Sequence, residues 1–167
     1  PYTRDQESSV FDILWDMSKE IPMDRVLVWD VWFWKTEIAF NAIFHAFLNK
    51  KQSVLISPLV VLAYQHYEKA RERFAKFGLK IEILTRYETQ ESSKRVLEQL
   101  KKWEIDLIIW THKLLWDSVI YKNLWLLIVD EEHKFWVLQK EKIKQISTSV
   151  DVLSMSATPI PRSLNMA

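Results

Sequence analysis

Residues 25–49 read RVLVW-DVWFW-KTEIAFNAIFHAFLN: an apolar run, a short loop, then Lys35-Thr36 opening a stretch with apolar residues at helical spacing. Strand, loop and helix in that order are the setting of the phosphate-binding loop G-x-x-x-x-G-K-[ST]. Here the eight positions are Trp29-Asp30-Val31-Trp32-Phe33-Trp34-Lys35-Thr36. Lys35 and Thr36 supply one half of the motif; Trp29 and Trp34 stand where it needs Gly. The loop wraps phosphates with backbone N–H groups, so it uses residues without Cβ that reach positive φ and let the ligand approach. The stretch therefore predicts a nucleotide site whose loop is obstructed.

Composition makes the substitution systematic. A chain of this size carries about twelve Gly at ordinary usage of ~7%; this one has one Gly and nine Trp in 167 residues. An aromatic-rich core is the ordinary explanation for many Trp, but their placement argues against it. Trp29, Trp32 and Trp34 alternate through a loop signature, and Trp110, Trp116, Trp125 and Trp136 fall at expected strand ends or turns. Most of them read as replacements of Gly in a parent sequence.

The bulk properties fit one globular domain with a real core: 49% hydrophobic and 27% charged residues lie far from the disordered regime. A net charge of +1 sets up no general field for nucleic acid, so any such contact must come from local patches. The absence of Cys excludes disulfides and thiolate metal sites and fits a reducing cytoplasm. No apolar run is long enough for a membrane helix. The chain ends within what reads as a continuing helix, so residues 1–167 are expected to be one domain of a larger multidomain protein.

Short apolar runs alternate with longer amphipathic ones, the pattern of a parallel sheet covered by helices. Strands are expected at 25–29, 53–57, 80–84, 106–110, 126–130 and 151–155. Helices are expected at 5–19, 35–49, 59–77, 90–102 and 138–146. In the fourth helix Val96, Leu97 and Leu100 form the apolar stripe while Lys94, Arg95, Glu98 and Lys101 face water, an ordinary solvated face.

Three groups of residues carry chemistry. Lys35 would reach the β- and γ-phosphates of a nucleotide and Thr36 would ligate Mg²⁺, with the helix N-terminus adding partial positive charge. The second group is Asp130-Glu131-Glu132-His133 after the run LLIV, acids delivered at the carboxyl end of a strand where open α/β sheets place their sites. Asp130 would hold Mg²⁺, and Glu131 would orient and deprotonate a water. Acids after a strand also serve as helix N-caps, but the Lys-Thr half-motif upstream favours the metal site. The third is Ser156-Ala157-Thr158-Pro159, whose hydroxyls would bond the acid turn around His133 and report nucleotide state to a neighbouring domain. A plain Pro-rich turn is the alternative for that segment.

The order PYTRDQ (1–6), PMDR (22–25), WDVWFWKTE (29–37), SPLVVLAYQHY (57–67), WTHKLL (110–115), LLIVDEEHKFWV (126–137) and SATPIPRSLNMA (156–167) runs the length of the chain. It resembles the first motor domain of the bacterial transcription-repair coupling factors, superfamily 2 ATP-driven translocases of double-stranded DNA. Gly at 29, 32 and 34 would give that family's GDVGFGKTE, and Gly at 110 its GTHKLL. The family also carries Gly at the places of Trp125 and Trp136 and commonly at Trp103. The resemblance implies a three-layer α/β/α RecA-like P-loop domain with a mainly parallel sheet, binding ATP and Mg²⁺. It implies that Gln6 reads adenine beside Thr3 and Tyr2, and that Trp29, Asp30, Val31, Trp32, Phe33, Trp34, Lys35, Thr36 and Glu37 form the nucleotide loop. Ser57, Pro58, Gln65, His66, Arg86, Thr111 and His112 would follow a DNA strand, although Gln65 and His66 also fit the polar face of their helix. The implied partners are double-stranded DNA, the second motor lobe, and RNA polymerase and excision-repair proteins held by modules absent here. The related helicases that remodel branched DNA share TPxPR and GTH but typically read DEQH, so Glu132 and the Phe33–Glu37 run favour the first family. A third possibility is a non-catalytic module whose Trp stack on single-stranded bases.

A side chain forced into a Gly-only backbone region costs on the order of 1–3 kcal/mol. Three in one loop are expected to drive it into another conformation and weaken ATP binding. Trp110, beside Thr111, is expected to obstruct a close approach to a DNA phosphate.

Overall fold

A computed structural model of the chain describes residues 3–29, 32–111, 122–131, 141, 145 and 148–157, with the side chains of 32 and 33 excepted. Among the described residues six strands and four helices run in the order α1 (Arg4–Met17), β1 (Asp24–Val28), α2 (Trp32–Leu48), β2 (Gln52–Ser57), α3 (Val60–Phe74), β3 (Ile81–Leu84), α4 (Gln90–Lys101), β4 (Leu107–Thr111), β5 (Leu124–Asp130) and β6 (Asp151–Ser156). The sheet order is β1-β6-β5-β2-β4-β3, and every pair is parallel. The expected α/β class and parallel sheet are what the structure shows.

Alternation along the strands decides which helix covers which face. Leu55, Ile109, Ile128 and Leu153 point to one side, where they pack with Ile13 of α1, Ile38 and Ile43 of α2, and Ala63, Ala70 and Phe74 of α3. Val54, Ile56, Trp110, Leu127 and Val129 point to the other and meet Val96 and Leu100 of α4. The result is three layers, with β2, β4, β5 and β6 buried along most of their length.

Helix ends follow local chemistry. Thr3 and Gln6 form a reciprocal capping box at the start of α1, and Thr89 caps α4 by accepting from Ser92 N–H. α4 ends in a full Schellman arrangement: Trp103 N–H donates to Leu100 O at 3.1 Å and Glu104 N–H to Gln99 O at 2.9 Å. Trp103 occupies its left-handed position at φ 60°, the place where Gly is preferred because a Cβ strains there. Lys50 does the same after α2 at φ 57°, with Lys50 N–H bonded to Phe47 O at 2.9 Å and Lys51 N–H to Ala46 O at 3.0 Å.

Two expectations change. α3 stops at Phe74 rather than 77, just before Gly78 at φ 74°. α2 begins at Trp32 instead of 35, so Trp32, Phe33 and Trp34 form its first turn. A Trp or Phe adopts helical backbone at little cost, whereas the phosphate-wrapping loop asks for the left-handed region. The helix expected over 138–146 lies almost wholly outside the described residues, as do Trp116 and Trp136.

Candidate nucleotide site

Because every strand of the sheet is parallel, the carboxyl ends of all six lie along one edge, the carboxyl edge. α2 starts there, next to β5, and brings the sequence's two main signals together. Lys35 is buried, and its Nζ lies 3.4 Å from Glu131 Oε1. Asp130, the last residue of β5, is fully buried. Its Oδ2 sits 2.8 Å from His66 Nε2, and its Oδ1 has no hydrogen-bond partner among the described residues. Glu131 takes φ 51°, a left-handed conformation that costs a non-Gly residue on the order of 1–3 kcal/mol. Its N–H is bonded to Met155 O at 2.9 Å, which holds the bend and turns the carboxylate toward Lys35. Thr36, on the first turns of α2, is also buried.

These groups suit a magnesium-bound phosphate. Mg²⁺ is a hard cation that takes one or two carboxylates and completes its shell with water and substrate phosphates. A buried carboxylate oxygen with no hydrogen-bond donor is the ligand such a site needs. No cluster of three or more His, Cys, Asp or Glu able to hold a metal occurs among the described residues. Any ion at Asp130 would therefore depend on Thr36 and on the ligand for its other contacts.

The other residues singled out by sequence are scattered around this centre. Gln6 is buried, and its Oε1 accepts from Thr3 N–H at 2.7 Å within the cap of α1. Trp29 N–H donates to Ser156 O at 3.1 Å, extending the β1–β6 pairing, while its indole packs on the first core cluster. Glu37 faces α3, where Oε1 lies 3.4 Å from Arg73 Nη2. Asp30, Val31, His112, His133 and Thr158 lie outside the described residues, and the side chains of Trp32 and Phe33 are likewise undescribed. Ser156 is buried at the end of β6 and Ala157 follows it half-buried.

Among the residues assigned to a DNA strand, Gln65 and Arg86 are exposed, with Arg86 lying over the Tyr87 ring at 4.8 Å. Ser57, Pro58 and Thr111 are buried at the ends of their strands. His66 departs furthest from expectation. Its side chain is fully buried and turned to Asp130, so in this lobe it lines the acid site and presents no surface to a DNA strand. The signal was in the helix period: Ala63, His66, Ala70 and Phe74 fall on the one buried stripe of α3. Trp110 also departs from expectation. Its indole is fully buried in the core under α4, on the face opposite Thr111, and obstructs no approach to the sheet edge.

Glu88 gave no sequence signal. Its carboxylate accepts from the N–H and hydroxyl of Thr85 and, at 2.8 Å, from Tyr64 Oη, tying the turn before α4 to α3. The Tyr64 hydroxyl is held above its ordinary pKa, chiefly by that bond and then by burial.

Residues 33–167 match the DEAD/DEAH box helicase family. Over 99% of this chain it is 50% identical to the transcription-repair-coupling factor of Helicobacter pylori, spanning 16% of that protein. The transcription-repair-coupling factor of Bacillus subtilis is 47% identical over the whole chain, which spans 14% of it. The chain thus corresponds to about a seventh of these relatives and fits their first motor domain. Among solved structures, RecG bound to a three-way DNA junction superposes with a TM-score of 0.82 at 36% identity, over 100% of this chain and 22% of that one. The helicase MrfA shares the fold at a TM-score of 0.73 and 16% identity, over 98% of this chain and 28% of that one. The match covers four-fifths of the sequence, including Lys35-Thr36, Asp130-Glu131 and the segment from Ser156, and the chain belongs to the DEAD/DEAH box helicase family.

Proposed function

We propose that the chain is the ATP-binding lobe of a motor that moves along double-stranded DNA, with its affinity for ATP weakened by Trp in the phosphate loop. The observation that carries this is the meeting of Lys35, Glu131 and Asp130 at the carboxyl edge of the sheet, within 3.4 Å for the Lys-Glu pair. Glu131 pairs with the buried ammonium of Lys35. A γ-phosphate would take over Lys35 and release Glu131, whose carboxylate then accepts a proton from an attacking water. Bound Mg²⁺ would supply charge neutralisation between phosphate oxygens, held by Asp130 and Thr36. The arginines that stabilise transition-state charge come from a second lobe in motors of this class, so residual hydrolysis without DNA stimulation is expected of this lobe alone.

The Trp residues act through the backbone. With α2 starting at Trp32, residues 32–34 form a helical first turn in place of a loop that wraps phosphates. The test is nucleotide titration of the chain carrying Gly at 29, 32 and 34, with and without Lys35→Ala. A charge-assisted contact of ~1.5–3 kcal/mol corresponds to a loss of roughly 10–150-fold in the Lys35→Ala form; equal affinity would refute the site.

By its 47–50% identity to transcription-repair-coupling factors, the parent protein would displace stalled RNA polymerase and recruit excision repair in the cytoplasm, using modules outside this chain. No helix among the described residues is long and apolar enough to cross a membrane. A branched-DNA helicase is the second reading, supported by the RecG likeness; its lower identity of 36% and Glu132 favour the first. A Trp stacking module fits less well. Trp110 is buried in the core, Trp29 and Trp125 pack on the first cluster, and Trp15 lies on α1 whereas Trp103 follows the end of α4. Saturable quenching of Trp fluorescence by an oligonucleotide would revive that reading.

A further inference from the structure

We propose that His66 is a positioning residue for Asp130, holding one carboxylate oxygen so that the other is presented to a divalent cation. The inference rests on the nucleotide-site reading above. His66 is fully buried on the inner stripe of α3, and its Nε2 meets Asp130 Oδ2 at 2.8 Å. A carboxylate only accepts, so Nε2 carries the proton in this pair and the ring tautomer is set by the bond.

The bond does two things for Asp130. It compensates one oxygen for the loss of water on burial, and it fixes the plane of the carboxylate at the end of β5. With Oδ2 engaged and Oδ1 without a hydrogen-bond partner among the described residues, the two oxygens are no longer equivalent. Outer contacts of this kind orient metal ligands, and their removal typically costs about 10–100-fold in metal affinity. A surface role for His66 is incompatible with its burial.

The test uses Mn²⁺ alone as the probe, on the chain as it stands, with His66→Ala and His66→Gln. Gln keeps an N–H donor near the position of Nε2, whereas Ala removes it. The expected result is a 10–100-fold loss of Mn²⁺ affinity for His66→Ala and a loss of only a few-fold for His66→Gln. In the unsubstituted chain, ¹⁵N spectra should show His66 protonated at Nε2 and its ring signals broadened by Mn²⁺. If both variants fail to fold, these spectra decide the matter. Unchanged Mn²⁺ affinity in His66→Ala, no Mn²⁺ site in any of the chains, or an unprotonated Nε2 would overturn the assignment. Nucleotide titration separates the two claims. Loss of nucleotide binding with an intact Mn²⁺ site removes the proposed function alone, and a Mn²⁺ site indifferent to position 66 removes the positioning role alone.

Discussion

Replacing Trp103 by Gly and by Ala in parallel tests whether its position is built for a residue without Cβ. Both variants lose the indole, so its surface cancels from the comparison and the backbone decides. At φ 60° an L-residue carries about 1–2 kcal/mol of strain from Cβ against the carbonyl. Gly escapes that strain but gives up ~0.5–1 kcal/mol of additional chain entropy on folding. The difference leaves Trp103→Gly more stable than Trp103→Ala by about 0.5–1 kcal/mol. For a domain of this size that is roughly 1–4 °C in melting temperature. The same pair at Lys50, φ 57°, should behave alike. The control is Lys94, exposed inside α4, where Gly should be the worse of the two by ~1 kcal/mol. Urea and thermal unfolding of the six variants measure all three differences. An Ala form as stable as the Gly form at 103, or a difference with the sign seen at 94, would refute the left-handed assignment and the view that Trp there replaces Gly.

Other outcomes follow from buried polar groups. Gln52 is buried and donates from Nε2 to Leu100 O at 3.1 Å and Ile105 O at 2.9 Å, while its Oε1 accepts from Asn123 N–H at 2.9 Å. Leu100 O keeps a bond from Trp103, so Gln52→Leu strands chiefly the Ile105 carbonyl and the Asn123 amide. It should lower stability by about 2–4 kcal/mol in denaturant unfolding. Asp151 is buried and accepts from Met23 N–H at 2.6 Å. Burial, with a smaller push from Asp16, holds its pKa above the ordinary 3.8. The native state therefore binds this proton more tightly than the unfolded chain, and the stability it contributes is full below 3.8 and lost as pH rises through the raised value. Asp151→Asn keeps an acceptor for Met23 and should flatten that limb of the stability–pH curve. At pH 7 it should match the parent to within ~1 kcal/mol or exceed it. Asp16 runs the opposite way. Bonds from Lys19 and Arg25 lower its pKa, so Asp16→Asn should remove part of the stability lost on acidification, as seen in unfolding at pH 3 against pH 7.

The parallel sheet was legible because each strand is an apolar run bounded by helical spacing. Five of the six strands sit within one residue of their expected limits; β5 reaches back two further, to Leu124. The acid site was legible because chemistry is concentrated at strand ends. Three features were not. The start of α2 followed from a motif frame, whereas bulky L-residues at 32–34 settle into a helical turn. His66 was placed along DNA by the family resemblance, although its register with Ala63, Ala70 and Phe74 puts it inside. Trp110 was assigned by its neighbour Thr111, although strand alternation sends adjacent side chains to opposite faces.

The central claim is that the cleft of Lys35, Asp130 and Glu131 is a nucleotide site limited by Trp in its loop. Its most direct measure is the Kd for MgATP of the chain as it stands against the chain with Gly at 29, 32 and 34, by calorimetric titration. Gly at these positions removes the several kcal/mol that three Trp would cost in a phosphate-wrapping conformation and should tighten binding by at least about tenfold, since ~1.4 kcal/mol suffices for that factor. Equal dissociation constants, or no binding by the Gly-restored chain, would contradict the account.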